Sequence, residues 1–171
     1  MQILKAGITH LQDITALISA CRTTLLNKGI HQWDEYYPDT ETIRHDINQG
    51  ELYIAAIAGE VVGGVTLNQN QDPEYSQITW RCPSPALVVH RLCVSPFHQG
   101  SGIGSDLMAF AEQYTRDARL GSIRLDVYSD NAIAVNFYKR LGYGITGQFS
   151  FPSRQYPFYC MEKCILSDIN T

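Results

Sequence analysis

One stretch constrains this chain more than any other. The apolar run Leu87–Val94 reads as a strand and leads into a loop with glycines at 100, 102 and 104. A helix-period segment opens at once, Gly102–Arg119, with Ile103, Leu107, Phe110, Ala111 and Tyr114 on one face. Ile123–Tyr128 then reads as a second strand. Strand, helix and strand in this order make a βαβ crossover at the centre of a sheet. The glycines leave backbone amides uncovered where the positive end of the helix dipole sits. That suits an anion, above all a pyrophosphate. Glycines alone fit a helix start that binds nothing equally well.

The flanking segments complete a mixed α/β pattern. Met1–Ala6 reads as a first strand. Thr9 and Gln12 have the spacing of a capping box, and Leu11, Ile14, Leu17, Ile18, Cys21 and Leu25 follow at helical spacing. Asp39 is placed to cap a second helix that carries Ile43 and Ile47 and ends at Gly50. Leu52–Ala58 and Val61–Leu67 read as a hairpin turning at Gly59–Glu60. Asn68–Pro85 reads mostly as a connection, with a strand start near Ile78 as an option. Ala132–Leu141 reads as a helix closed by Gly142, followed by strands near Tyr143–Phe149 and Pro157–Ile165.

Length and composition set bounds on this pattern. A chain of 171 residues fits one domain and buries a core without metals or disulfides. The net charge of −4 is a poor footprint for nucleic acid, which asks for a basic face. No stretch reaches the roughly 18 apolar residues of a membrane span, and no signal-peptide pattern opens the chain. The five cysteines, Cys21, Cys82, Cys93, Cys160 and Cys164, include no C-x-x-C pair. They read as free thiols in a reducing cytoplasm. The histidines His10, His31, His45, His90 and His98 lack ligand spacing. Cys160 and Cys164 are too far apart on a strand to chelate, so no metal is expected.

Two ligand classes compete for the glycine loop. A dinucleotide would use Gly100-x-Gly102 with Asp126 on the next strand. Against it, the third glycine position is Ser105, the loop after Val94 is long, and too little chain follows Asp126 for a second sheet half. The other class is coenzyme A. Leu92-Cys93-Val94-Ser-Pro96-Phe-His-Gln99-Gly100-Ser101-Gly102-Ile103-Gly104 resembles the acyl-CoA signature of the GNAT-superfamily N-acetyltransferases, with Gln99, Gly102 and Gly104 at its defining positions. The later run from Leu125 to Tyr143 resembles the same family's second motif. Its Asn131 opens a helix, Ala134 and Tyr138 follow at three and seven residues, and Gly142-Tyr143 closes it.

The resemblance implies a fold and a set of roles. The fold is α/β (α+β): a single N-acetyltransferase domain over residues 1–171, with a mixed, mostly antiparallel sheet, splayed central parallel strands and flanking helices. Acetyl-CoA would be the co-substrate. Leu92, Cys93 and Val94 would pair with its pantetheine arm like an added strand. Gln99, Gly100, Ser101, Gly102, Ile103, Gly104 and Ser105 would hold its pyrophosphate. Asn131 would bind the arm, although capping its own helix explains it as well. Tyr138 would protonate the leaving thiolate. A thiol near pKa about 8.5 and a tyrosine near about 10 make that transfer a modest mismatch. The amide near Cys93–Val94 would stabilise the oxyanion. Cys93 as a nucleophile finds no supporting His and carboxylate spacing.

The base and the acceptor stay open. Asp126, five residues before Asn131, is the first candidate base, His90 the second, and Asp34 and Glu35 the third; a water chain is the remaining option. Trp33, Asp34 and Glu35, with neighbouring tyrosines, suit a cationic amine by charge and by cation–π contact. Arg154 suits an acceptor carboxylate. The expected acceptor is an amine of a small molecule or peptide, with no nucleic acid or membrane partner. Dimers are common in this fold, and the sequence does not decide the point. The alternative from another class is a catalytically idle acyl-CoA-binding module.

Overall fold

The computed structural model describes residues 1–82 and 85–165. Its strands are β1 (Gln2–Lys5), β2 (Leu52–Ile57), β3 (Glu60–Asn68), β4 (Ala86–Val94), β5 (Ser122–Tyr128), β6 (Gly144–Phe149) and β7 (Phe158–Cys164). Its helices are α1 (Leu11–Asn27), α2 (Thr40–Gln49), α3 (Ile103–Asp117) and α4 (Ala132–Arg140). The strands form one sheet in the order β1-β2-β3-β4-β5-β7-β6. β4 and β5 are parallel, while β1–β2, β2–β3, β5–β7 and β6–β7 are antiparallel. The parallel ladder is short: it joins Ala86–Val88 to Ser122–Arg124.

The chain divides into two compact units, Met1–Leu67 with His90–Phe110, and Asn68–Val89 with Ala111–Thr171. In the first unit, the helical stripe of α1 meets α2 and the hairpin. Ile14, Ile18, Ile43 and Ile54 are nearly fully buried there with Trp33 and Cys93. Each such aliphatic side chain contributes about 1.5–3 kcal/mol by leaving water. The carboxylate of Asp39 caps α2 by accepting from the Thr42 N–H at 2.8 Å, and Gly50 ends the helix at φ +69°. The start of α1 differs from the capping-box expectation. A 3-10 turn over Ile8–His10 precedes it, and the Gly7 N–H donates to His10 Nδ1 at 3.0 Å, so the ring takes the part expected of Gln12.

In the second unit, β5 alternates. Ile123, Leu125 and Val127 fill one face, and Ser122, Arg124 and Asp126 lie on the other. Arg124 is buried there in an ion pair with Glu162 of β7, Nε to Oε1 at 3.1 Å; its Nη1 donates to Gln71 Oε1 at 3.2 Å, and the guanidinium lies 4.4 Å from the Trp80 ring. The same carboxylate accepts from the N–H groups of Arg81 and Cys82 at 2.8 and 3.1 Å. The strand start considered near Ile78 does not occur. Residues Pro73–Gln77 form a 3-10 turn instead, with Pro73 in its first turn. The expectation that all five thiols are free is also corrected, because Cys82 and Cys164 form a disulfide with Cα atoms 5.3 Å apart. Among the described residues no helix is long and apolar enough to cross a membrane.

Candidate active site

In the first unit, the site begins with a break in β4. Arg91 stands at φ +54°, a left-handed conformation that costs a non-glycine residue about 1–3 kcal/mol. The surroundings hold it there. Its Nε and Nη2 donate to Asp46 Oδ2 at 2.9 and 2.6 Å, and its Nη1 donates to the Tyr37 hydroxyl at 2.8 Å. Asp46 also accepts from the Thr66 hydroxyl at 2.7 Å. Burial opposes the charge on Arg91, but the Tyr37 hydroxyl and the Asp46 carboxylate more than offset it and raise its pKa. The apolar run around residue 91 carries no sign of this left-handed residue.

After the break come Leu92, Cys93 and Val94, the expected pantetheine strand. The Cys93 thiol is pushed well above its ordinary pKa, first by its hydrogen bond with Cys21 and then by burial. A thiol held protonated is a poor nucleophile, in keeping with the rejection of a covalent route. The Val94 carbonyl accepts from the Cys21 thiol at 3.3 Å and from Gln99 Nε2 at 3.4 Å. Gln99 thus folds the loop back onto the strand.

The loop then turns on two glycines, Gly100 at φ +81° and Gly102 at φ +92°. At both, an added Cβ would meet no protein atom within 4 Å, so the backbone is open to an approaching ligand. The ladder of α3 starts with the Asp106 N–H donating to the Gly102 carbonyl at 3.0 Å. The N–H groups of Ile103, Gly104 and Ser105 therefore have no acceptor within the helix. Ser101 Oγ donates to the His98 carbonyl at 2.5 Å and braces the turn. Ile103 and Leu107 anchor the helix start in the core. Gly63 of β3 makes room for them: a Cβ there would lie 3.1 Å from each side chain and 3.2 Å from the Cys93 carbonyl. The sequence reading passed over Gly63, because only the packing shows the need.

In the second unit, Asn131 caps α4. Its Oδ1 accepts from the Ala134 N–H at 3.1 Å, and it is 7% exposed. Tyr138 is buried on the same helix, its ring 5.1 Å from that of Phe137 and 6.0 Å from that of Tyr143. Asp126 accepts a hydrogen bond at Oδ2 from the Tyr75 hydroxyl, 2.9 Å away. Burial and the facing carboxylate push the Tyr75 pKa well above its usual value, so the hydroxyl stays a donor. Cys160 pairs with Asp126 in the ladder, and its thiol is pushed up to about 12, chiefly by burial. Tyr75 lies in the segment read as a connection, which hid it from the sequence reading. His90 is partly buried on β4, in the first unit.

The expected acceptor residues separate. Trp33 is 6% exposed and belongs to the core around α1 and α2, so its indole packs apolar side chains rather than presenting an open face to an amine. Asp34 shapes its own turn: Oδ1 accepts from the N–H groups of Tyr36 and Tyr37, both at 2.9 Å. Arg22 Nη1 donates to the Asp34 carbonyl at 2.9 Å and ties that turn to α1. Glu35 is exposed, and Arg154 is half-buried with Nη1 donating to the Ser153 carbonyl at 3.3 Å. Among the described residues no group of three or more His, Cys, Asp or Glu side chains is placed to hold a metal.

Comparison with known proteins fits this geometry. The chain is 26% identical over 140 residues to the uncharacterized N-acetyltransferase YesJ of Bacillus subtilis (strain 168), covering 80% of this chain and 77% of that one. It is 30% identical over 118 residues to the L-amino acid N-acetyltransferase AaaT of Escherichia coli (strain K12), covering 68% of this chain and 63% of that one. Its fold matches a GNAT-family acetyltransferase of Streptococcus agalactiae 2603 at a TM-score of 0.81 with 21% identity, over 95% of this chain and 94% of that one. It also matches the PaiA N-acetyltransferase of Thermoplasma acidophilum, solved in complex with coenzyme A, at a TM-score of 0.72 with 17% identity, over 95% and 98% of the two chains. The model of the acetyltransferase (GNAT) family matches residues 11–143. The chain belongs to that family and is an acyltransferase enzyme.

Proposed function

We propose that this enzyme moves acetyl from acetyl-CoA onto a primary amine of a small molecule or peptide by direct attack of the amine. The observation that carries the reading is the glycine loop. Gly100 and Gly102 hold positive φ with open space where side chains would stand, directly before the amides that open α3. A pyrophosphate fits such a cradle by charge and by hydrogen bonding. The coenzyme A complex of the Thermoplasma relative and the amino-acid acceptor of AaaT support the ligand and the reaction class.

In this reading Leu92–Val94 align the acyl arm, and the amide near Cys93–Val94 donates to the oxyanion. A fixed amide needs no reorganisation as charge develops. Asn131, which caps α4, binds the arm. Tyr138 gives its proton to the departing thiolate, and burial fixes the ring for that transfer. Asp126, with Tyr75 donating to it, is the first candidate to take the amine's proton, and His90 is the second. Glu35 and Arg154 remain candidates to face the acceptor.

Two measurements test this. A thiol-release screen with acetyl-CoA over grouped amines should find at least one acceptor. With that acceptor, Tyr138→Phe should lose about 100-fold or more in kcat, the range of general-acid catalysis, while its Kd for CoA stays within about twofold. Full turnover in the variant removes Tyr138 as the acid. CoA binding with no release over the whole panel would instead identify a binding module.

A further inference from the structure

Three segments of the first unit converge on one guanidinium: the strained point of β4, the last turn of α2, and the loop between α1 and α2. We propose that Arg91 is a positioning residue that sets the loop carrying Glu35, a candidate acceptor contact, against the acyl-binding strand, and that Tyr37 is the point at which this loop docks. The proposal rests on the acetyl-transfer reading above.

The geometry carries it. Asp46 is buried in the last turn of α2, and its Oδ2 takes both Nε and Nη2 of Arg91 at 2.9 and 2.6 Å. This fixes the guanidinium plane and leaves Nη1 aimed at the Tyr37 hydroxyl, 2.8 Å away. Tyr37 closes the turn that Asp34 organises, and its ring also lies 5.8 Å from the guanidinium carbon. The Arg91 side chain is 11% exposed and that of Asp46 is 3% exposed, so water competes little for these bonds. A planar fork of donors can serve two acceptors at fixed angles, which a lysine cannot. Arg91 also immediately precedes Leu92–Val94, so the bond that holds Tyr37 is made by the residue whose backbone redirects the strand. The position of the loop is therefore referenced to the strand through one side chain.

Two substitutions separate this role from plain stability. Tyr37→Phe removes only the hydroxyl, from a ring 42% exposed, and the fold should survive it. Arg91→Gly keeps the positive φ accessible but deletes the clamp. With an acceptor from the amine screen, Tyr37→Phe should raise the amine KM about three- to tenfold, of the order one hydrogen bond supplies. The KM for acetyl-CoA should stay within about twofold. Arg91→Gly should raise the amine KM at least as much while keeping the CoA Kd near wild type. Arg91→Lys should not restore the amine KM. An unchanged amine KM in both Tyr37→Phe and Arg91→Gly overturns the proposal. Equal losses in the two substrates' KM values overturn it as well, because a structural defect alone would give them. Absence of wild-type turnover over the whole panel would overturn the acetyl-transfer reading first, and is told apart by needing no variant.

Discussion

Gly102→Ala separates what the glycine loop does for folding from what it does for a ligand. Gly102 stands at φ +92°, and an added Cβ would meet no protein atom within 4 Å. The cost to the fold is therefore backbone conformation alone, about 1–3 kcal/mol for an L-residue held there. At about 2–4 °C per kcal/mol for a chain of this size, Tm should fall by roughly 2–12 °C. The ligand should lose more than the fold. The methyl group enters the space through which a phosphate oxygen would reach the amides at the start of α3. A hydrogen bond to a charged group is worth about 1.5–3 kcal/mol, so losing one weakens CoA binding about 10- to 150-fold. Calorimetry with CoA and thermal unfolding with and without CoA read the two effects apart. Wild type at about 100 times Kd should gain about 2.7 kcal/mol from the ligand by mass action, and the variant at the same concentration should gain far less. A variant that unfolds several degrees early yet binds CoA with the wild-type Kd would refute the anion cradle.

Glu162→Ala should destabilise the fold by about 3–5 kcal/mol, because it removes the carboxylate that compensates the buried charge of Arg124; a loss below about 1 kcal/mol in urea unfolding would contradict that. With its pKa raised, the Cys93 thiol stays protonated at neutral pH, so intact-mass measurement after acetyl-CoA without amine should find no acetylated enzyme. An acetyl adduct on Cys93 would reopen the covalent route. Tyr75→Phe removes a donor that favours the ionised form of Asp126. If Asp126 is the base, the acidic limb of kcat/KM should move to higher pH in that variant; an unmoved limb shifts the role to His90 or to water.

The parts of the candidate site that are legible in the sequence are those written in neighbouring residues. Gln99–Gly104 and Asn131–Tyr143 each lie within one turn or helix, where glycine spacing and helical period carry the information. What stayed hidden depends on distant partners. Arg91 looks like one polar residue in an apolar strand until Asp46, 45 positions away, shows why it bends. Tyr75 and Asp126 are separated by 51 positions, and Cys82 and Cys164 by 82. Trp33 shows the opposite failure. Its acidic and aromatic neighbours suggested a ligand face, but no local pattern tells a buried ring from a presented one. Asp39 and Gly50 were legible as the two ends of α2 because capping is itself local.

The buried charges are explained by geometry better than by stability. A buried ion pair often contributes no more than an apolar pair of the same volume, so Asp46–Arg91 and Glu162–Arg124 do not justify themselves as glue. An apolar pair at residues 162 and 124 would leave the Arg81 and Cys82 N–H groups without the carboxylate that now accepts from them. An apolar pair at residues 46 and 91 would leave the Tyr37 and Thr66 hydroxyls without these partners. In each unit one carboxylate orients an arginine and also takes hydrogen bonds from other groups around it. Glu162 fixes the backbone at Arg81 and Cys82. Asp46 organises the strained residue just before Leu92–Val94. Replacing the pair at 46 and 91 by leucines should therefore cost about 1–3 kcal/mol for the Thr66 hydroxyl left buried without its acceptor. A loss of turnover larger than that loss of unfolding free energy would show that the charge serves the backbone before Leu92–Val94 rather than stability.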